Sequence, residues 1–145
     1  MLRIIAAAAA IAVGATAVYA QNLDAIKARK ESMKALSAAA KGPGGMMKGE
    51  VPFALPTIQA SLKAFQEQAA KSKGLFLDNA KTGGDTEALP AIWEKKADCV
   101  GKFDKLAAAA KAAETAIKDE ASFKAEFGKV MSNCGSCHKE YRKAK

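Results

Sequence analysis

The sequence holds one histidine and one tryptophan among its 145 residues, with three cysteines and four prolines. His138 is the single imidazole, so no rival competes for a role on a metal. Aromatic residues are 6% of the chain, while alanine is abundant. Such a chain has few large side chains for a core and room for a flat apolar filler. No stretch alternates apolar and polar residues with period two, which excludes a sheet and argues for an all-α fold. No basic run is interleaved with aromatics of the kind that stack on bases, which excludes nucleic acid as a partner. After the first twenty residues no apolar run is long enough to span a bilayer, so the mature chain is not expected to insert stably in a membrane.

Residues 1–20 form a leader. Met1-Leu2-Arg3 gives a basic start, Ile4 to Val18 is apolar or small, and Val18-Tyr19-Ala20 places small residues at a cleavage site. The apolar run is about 15 residues, short of the roughly 20 a membrane span needs. Cleavage after Ala20 would leave residues 21–145 as one domain and direct it to the periplasm. The net charge of +8 loses only Arg3 on cleavage. A basic surface suits acidic partners, including acidic redox proteins.

Four amphipathic stretches follow. The first spans about residues 22–40, with Leu23, Ile26, Met33, Leu36 and Ala40 on one face, and Lys41-Gly42-Pro43-Gly44-Gly45 is expected to end it. The second spans about 55–72, opened by Pro56 and striped by Ile58, Leu62, Phe65 and Ala69. A longer connection contains Gly74, Gly83 and Gly84. The third spans about 90–113, striped by Ile92, Cys99, Phe103, Leu106 and Ala110. The fourth spans about 119–142, with Asp119 as N-cap and Phe123, Phe127, Val130, Cys134, His138 and Tyr141 inside. Four such helices predict a four-helix bundle.

Cys134-Gly135-Ser136-Cys137-His138 is C-x-x-C-H, the attachment sequence of c-type haem. Two thiols add to the two haem vinyls, the small residues between them let the porphyrin approach, and the adjoining imidazole lies under the iron. Three other readings compete. Structural zinc needs four ligands, so Cys134, Cys137 and His138 would require Cys99 as well. A redox dithiol normally opens a helix of an α/β fold, and here the motif lies late in the last helix. A plain disulfide would leave the histidine incidental. Export of the chain favours haem.

The second axial position needs a residue from a facing helix, or stays open. A His/Met iron is an electron-transfer arrangement. Met131 shares the helix of the motif and cannot easily reach across the ring. Met46 and Met47 sit in a glycine-rich connection. Met33, on the apolar face of the first helix, is the candidate ligand, with simple packing as its alternative role.

A haem motif at the end of the last helix of an antiparallel four-helix bundle resembles the class II cytochromes c, the cytochrome c-prime superfamily. The likeness runs over residues 21–145. It rests on Arg29 with Met33 four residues later, Gly83-Gly84-Asp85, Pro90-Ala91-Ile92-Trp93, and Cys134-Gly135-Ser136-Cys137-His138-Lys139-Glu140-Tyr141-Arg142. The resemblance implies one covalent haem c through Cys134 and Cys137, with His138 on the iron and Met33 facing it from the other side. It places Arg29 near the haem propionates, where a fixed cation neutralises carboxylate. Arg142, one turn after His138, would sit at the proximal face or a propionate. Either arginine could instead be a solvated surface charge. Tyr141 would pack on the porphyrin edge or simply in the core.

The family has two branches. One is low-spin, with methionine on the iron, and carries electrons. The other is high-spin and five-coordinate, with a distal pocket that admits nitric oxide or carbon monoxide. The run Arg29-Lys30-Glu31-Ser32-Met33-Lys34 looks more like the low-spin branch. The expected function is therefore a periplasmic one-electron carrier and not an enzyme, with the gas-binding cytochrome as the alternative. Relatives often pair through their first two helices, so a homodimer is an expected assembly. Cys99 reads as a small buried apolar residue, or as the source of an intermolecular disulfide.

Overall fold

In this computed structural model the backbone is described for residues 2–144 and the side chains for residues 22–144. The leader at residues 1–20 and its cleavage site lie outside the residues whose side chains are described. Five helices follow in order: α1 (Leu2–Met47), α2 (Leu55–Lys73), α3 (Ala91–Glu94), α4 (Lys96–Ala116) and α5 (Glu120–Tyr141). No strand occurs among the described residues; Ala88 and Arg142 make one isolated antiparallel bridge. The long helices α1, α2, α4 and α5 form the bundle that the apolar stripes predict.

The Gly-Pro-Gly-Gly run does not end the first helix. α1 continues through Pro43 to Met47. Tertiary packing outweighs the lost backbone hydrogen bond of proline. Pro43 is fully buried, and Met46 is 8% exposed in the core. A Cβ on Gly42 would stand 3.2 Å from Thr57 Cγ2, so Gly42 is what lets α2 approach α1 there. The stop comes later, at Gly49, whose φ is +74°. The Gly49 N–H donates to Met46 O at 3.1 Å and the Glu50 N–H to Gly45 O at 2.9 Å, a Schellman closure that suits glycine.

The other boundaries follow local chemistry. Pro56 lies in the first turn of α2. Asp119 caps α5 through a capping box, its carboxylate accepting from the Ser122 N–H at 2.8 Å while Ser122 Oγ accepts from the Asp119 N–H at 3.0 Å. The third stretch is not one helix. Lys95, at φ −122° and ψ 44°, separates α3 from α4. α3 is tied elsewhere: the Trp93 indole N–H donates to Leu77 O at 3.0 Å, and just before it the Leu89 N–H donates to Tyr141 O at 3.0 Å.

Backbones of α1 and α2, of α2 and α4, and of α4 and α5 approach closely; no comparable approach joins α1 to α5 among the described residues. The aromatic residues collect at two places. Phe53, Phe65, Phe123 and Phe127 meet near the start of α5, with Phe127 centred 6.4 Å from Phe65 and 5.2 Å from Phe123. Phe76, Trp93 and Phe103 meet beside the connection between α2 and α3.

Phe127 is 2% exposed, so Phe127→Ala leaves a cavity between two rings. The expected loss is about 3–5 kcal/mol of unfolding free energy, read from urea unfolding of the haem-loaded protein.

Candidate haem site

α5 brings Cys134, Cys137 and His138 together on successive turns, because residues three and four apart share a helix face. All three side chains are half-buried, and no cysteine of the chain is in a disulfide. Cys137 packs against the main core, as do Met33 from α1 and Trp93 from α3. Met33 and the attachment turn thus border one core from α1 and α5. The donor set fits haem c: two free thiols one turn apart, one imidazole and a thioether. No group of three or more metal-ligating His, Cys, Asp or Glu side chains occurs among the described residues, so Cys99 does not complete a zinc site.

The surroundings of His138 favour its neutral form. Burial pushes its pKa below the ordinary value, the Arg142 charge adds to this, and Glu87 opposes it. A neutral imidazole offers the lone pair that iron requires. Arg142 caps α5, its N–H donating to His138 O at 3.2 Å, so its charge lies on the histidine side. The expected steric role of Gly135 is not supported by the polypeptide alone, since a Cβ there meets nothing within 4 Å.

Arg29 is not a solvated surface charge. It is 6% exposed, and burial lowers its pKa. Its guanidinium donates to Leu75 O at 3.2 Å and Ala80 O at 2.7 Å. Its Cζ stands 5.4 Å from the ring centroids of both Phe76 and Trp93. No carboxylate pairs with it among the described residues. A buried cation held only by carbonyls and rings has unspent charge for an anionic group, and the haem propionates are such groups. The glycine loop closes on the same helix: Gly84, at φ +54°, sits where a Cβ would stand 3.2 Å from Ile26 Cγ2. The part played by Phe76 was not visible in the sequence, where it lies in an unpatterned connection.

Tyr141 packs in the core at 3% exposure and donates its hydroxyl to Asp98 Oδ2 at 2.5 Å. Lys102 joins the group, 3.1 Å from Glu140 and 3.7 Å from Asp98. This network ties the end of α5 to α4 beside the attachment turn. Cys99 is 1% exposed, in agreement with a buried apolar role, and cannot reach a second chain. Cys137 packs against the same core cluster that holds Cys99.

Two outcomes follow. The Tyr141 hydroxyl holds the Asp98 carboxyl below the usual range, with burial opposing and Lys102 assisting. Asp98 therefore contributes stability above the ordinary aspartate value of about 3.9 and loses it as pH falls further. Tyr141→Phe should flatten that acid-side loss, read as urea midpoints from neutral pH to about 3. Replacing both Cys134 and Cys137 by Ala should abolish thioether-linked haem in a pyridine haemochrome assay of the exported chain.

Comparison with known proteins shows the family. The family described as Cytochrome C' matches residues 24–142. A cytochrome c' of Rhodopseudomonas palustris is 46% identical over 144 residues, covering 99% of this chain and 98% of the relative. A cytochrome c-556 of the same organism is 31% identical over 146 residues, covering 98% and 97%. The solved structure of cytochrome c' from Rhodopseudomonas palustris superposes with a TM-score of 0.83 at 48% identity, covering 84% of this chain and 98% of that one. The chain belongs to the cytochrome c' family, the class II cytochromes c, and is a four-helix-bundle protein of covalent haem c.

Proposed function

We propose that this chain is an exported cytochrome of the c-prime kind, whose haem iron keeps one side open to a small diatomic ligand such as nitric oxide or carbon monoxide. The observation that carries this reading is the whole-chain similarity, greater to the cytochrome c' relative than to cytochrome c-556. The residue pattern around Met33 taken alone favours the other branch; the rest of the chain reverses that preference.

When bound, the haem supplies an iron that changes between ferric and ferrous and accepts a ligand on its open side. The chain does the remainder. Cys134 and Cys137 tether the group to α5. His138, whose neutral form burial and Arg142 favour, holds the iron from that side. Arg29 presents its unpaired charge to the propionates. Met33 lines the opposite face and keeps it apolar. Residues 1–20 act as the cleaved leader that delivers residues 21–145 to the periplasm. The basic balance of the chain draws acidic redox proteins, and two copies pair through α1 and α2, as the family resemblance implies.

A second reading has an observation of its own. Met33 is one turn from Arg29 and borders the same core as Cys137, where a thioether could bind the iron and make a one-electron carrier. One measurement separates the two. Under the first reading the purified ferric protein gives a high-spin spectrum at neutral pH, the ferrous protein binds carbon monoxide, and Met33→Ala changes neither. A low-spin ferric spectrum that becomes high-spin on Met33→Ala would overturn it in favour of the carrier.

A further inference from the structure

Five lysines mark one side of α1. Lys27, Lys34, Lys41 and Lys48 follow one another at a heptad spacing, and Lys30 stands one turn after Lys27. The Lys48 N–H donates to Gly44 O at 3.3 Å, so the last turn of α1 carries Lys48 as well. A heptad drifts by only about 20° around a helix, which keeps all five within an arc of about 60°. All five are exposed, and the row is about 32 Å long. The buried residues Arg29, Ser32, Leu36 and Pro43 lie on the opposite side of the helix. Lys34 pairs with Glu31 at 3.3 Å and Lys48 with Glu50 at 3.8 Å, whereas Lys27, Lys30 and Lys41 meet no carboxylate among the described residues. The other helices differ. On α5 lysines alternate with carboxylates, as Lys124 with Glu120 and Lys129 with Glu126, and the lysines of α2 and α4 are scattered around their helices.

We propose that this stripe is a docking surface for an anionic phospholipid membrane, which the folded chain meets with α1 lying along the headgroups. A negative lipid surface attracts lysines within about one screening length, and a long row on one side of a helix brings five of them to a plane together. The chemistry of the stripe favours lipid over a protein partner. Protein interfaces are anchored by Trp, Tyr and Arg in fitted pockets, and the stripe has none. Between its lysines stand Ala38 and Gly45, so no large apolar side chain inserts. Lysine is a compact, hydrated point charge without the fixed fork of arginine, suited to many single mobile charges. A second copy paired over α1 would meet the bundle beside this arc, since stripe against stripe sets like charges together. The inference does not depend on which ligand faces His138.

The test uses the haem-loaded exported chain and vesicles of equal parts phosphatidylglycerol and phosphatidylcholine, beside vesicles of phosphatidylcholine alone. Vesicles are sedimented at an ionic strength of about 0.1 M, where the screening length is about 10 Å, and the protein left in solution is read from its haem absorbance. The chain should sediment with the anionic vesicles and stay in solution with the neutral ones. The triple variant Lys27→Gln, Lys34→Gln, Lys41→Gln should weaken the partition coefficient at least about tenfold. The variant Lys105→Gln, Lys111→Gln, Lys118→Gln removes the same charge at exposed positions off α1 and should change it by less than about threefold. No sedimentation with the anionic vesicles, or equal losses in the two variants, would overturn the proposal. So would a stripe variant that loses retention on immobilised polyglutamate while keeping its vesicle binding, which would assign the stripe to an acidic protein instead.

Discussion

The constraint on which the molecule depends is the looser backbone approach of one helix pair around a shared core. A four-helix bundle buries its apolar stripes by packing each helix on its neighbours. Here α1 packs on α2, α2 on α4 and α4 on α5, while among the described residues α1 and α5 make no comparable backbone approach. The helices of that pair are the two that carry Met33 and the attachment turn. Apolar surface exposed to water between these helices would be unfavourable in proportion to its area, and an alanine-rich sequence has few large side chains to cover it. The haem is therefore a structural member of the bundle as well as its reactive group. Covalent attachment at Cys134 and Cys137 makes that member permanent.

Around this core the chain arranges charge with care. Arg29 sits on one side with no carboxylate, and Arg142 on the other beside His138. Between them the connection from Gly74 to Leu89 is pinned by Arg29, by the Trp93 indole and by the glycine loop against Ile26. The end of α5 is pinned separately, by Tyr141 and Lys102 to α4 and by Lys143, whose N–H donates to Glu87 O at 2.8 Å. The attachment turn is thus held by α5 itself and by two neighbouring elements. That matters for a site in which an imidazole must meet iron at a fixed orientation.

What could be read from the sequence was local. The C-x-x-C-H spacing, the stripe of α2, the Asp119 cap and the Arg29–Met33 register all depend on residues within a turn or two of each other. The misreadings were tertiary. Lys41-Gly42-Pro43-Gly44-Gly45 looks like a terminator because its propensities are poor, but burial of Pro43 and the close approach of Thr57 decide the matter. The break at Lys95 has no proline or glycine to announce it. The cage around Arg29 needs Phe76 from a segment with no periodicity at all. The branch of the family turns on Met33, where one residue pulls against the likeness of the whole chain.

The cage around Arg29 also bears on how the molecule breathes. A guanidinium buried without a counter-charge is expensive to keep dry, and it regains hydration whenever the cage opens. Lifting residues 75–80 away from α1 would lose two hydrogen bonds and the Phe76 ring contact but would return that hydration. The net cost of this local excursion is smaller than that of separating α2 from α4, which opens the main apolar core and also breaks the bonds of Gln59, Gln66 and Lys73 to α4. The stretch over Arg29 is accordingly the part that yields first, and solvent reaches the guanidinium by that route before the bundle itself loosens.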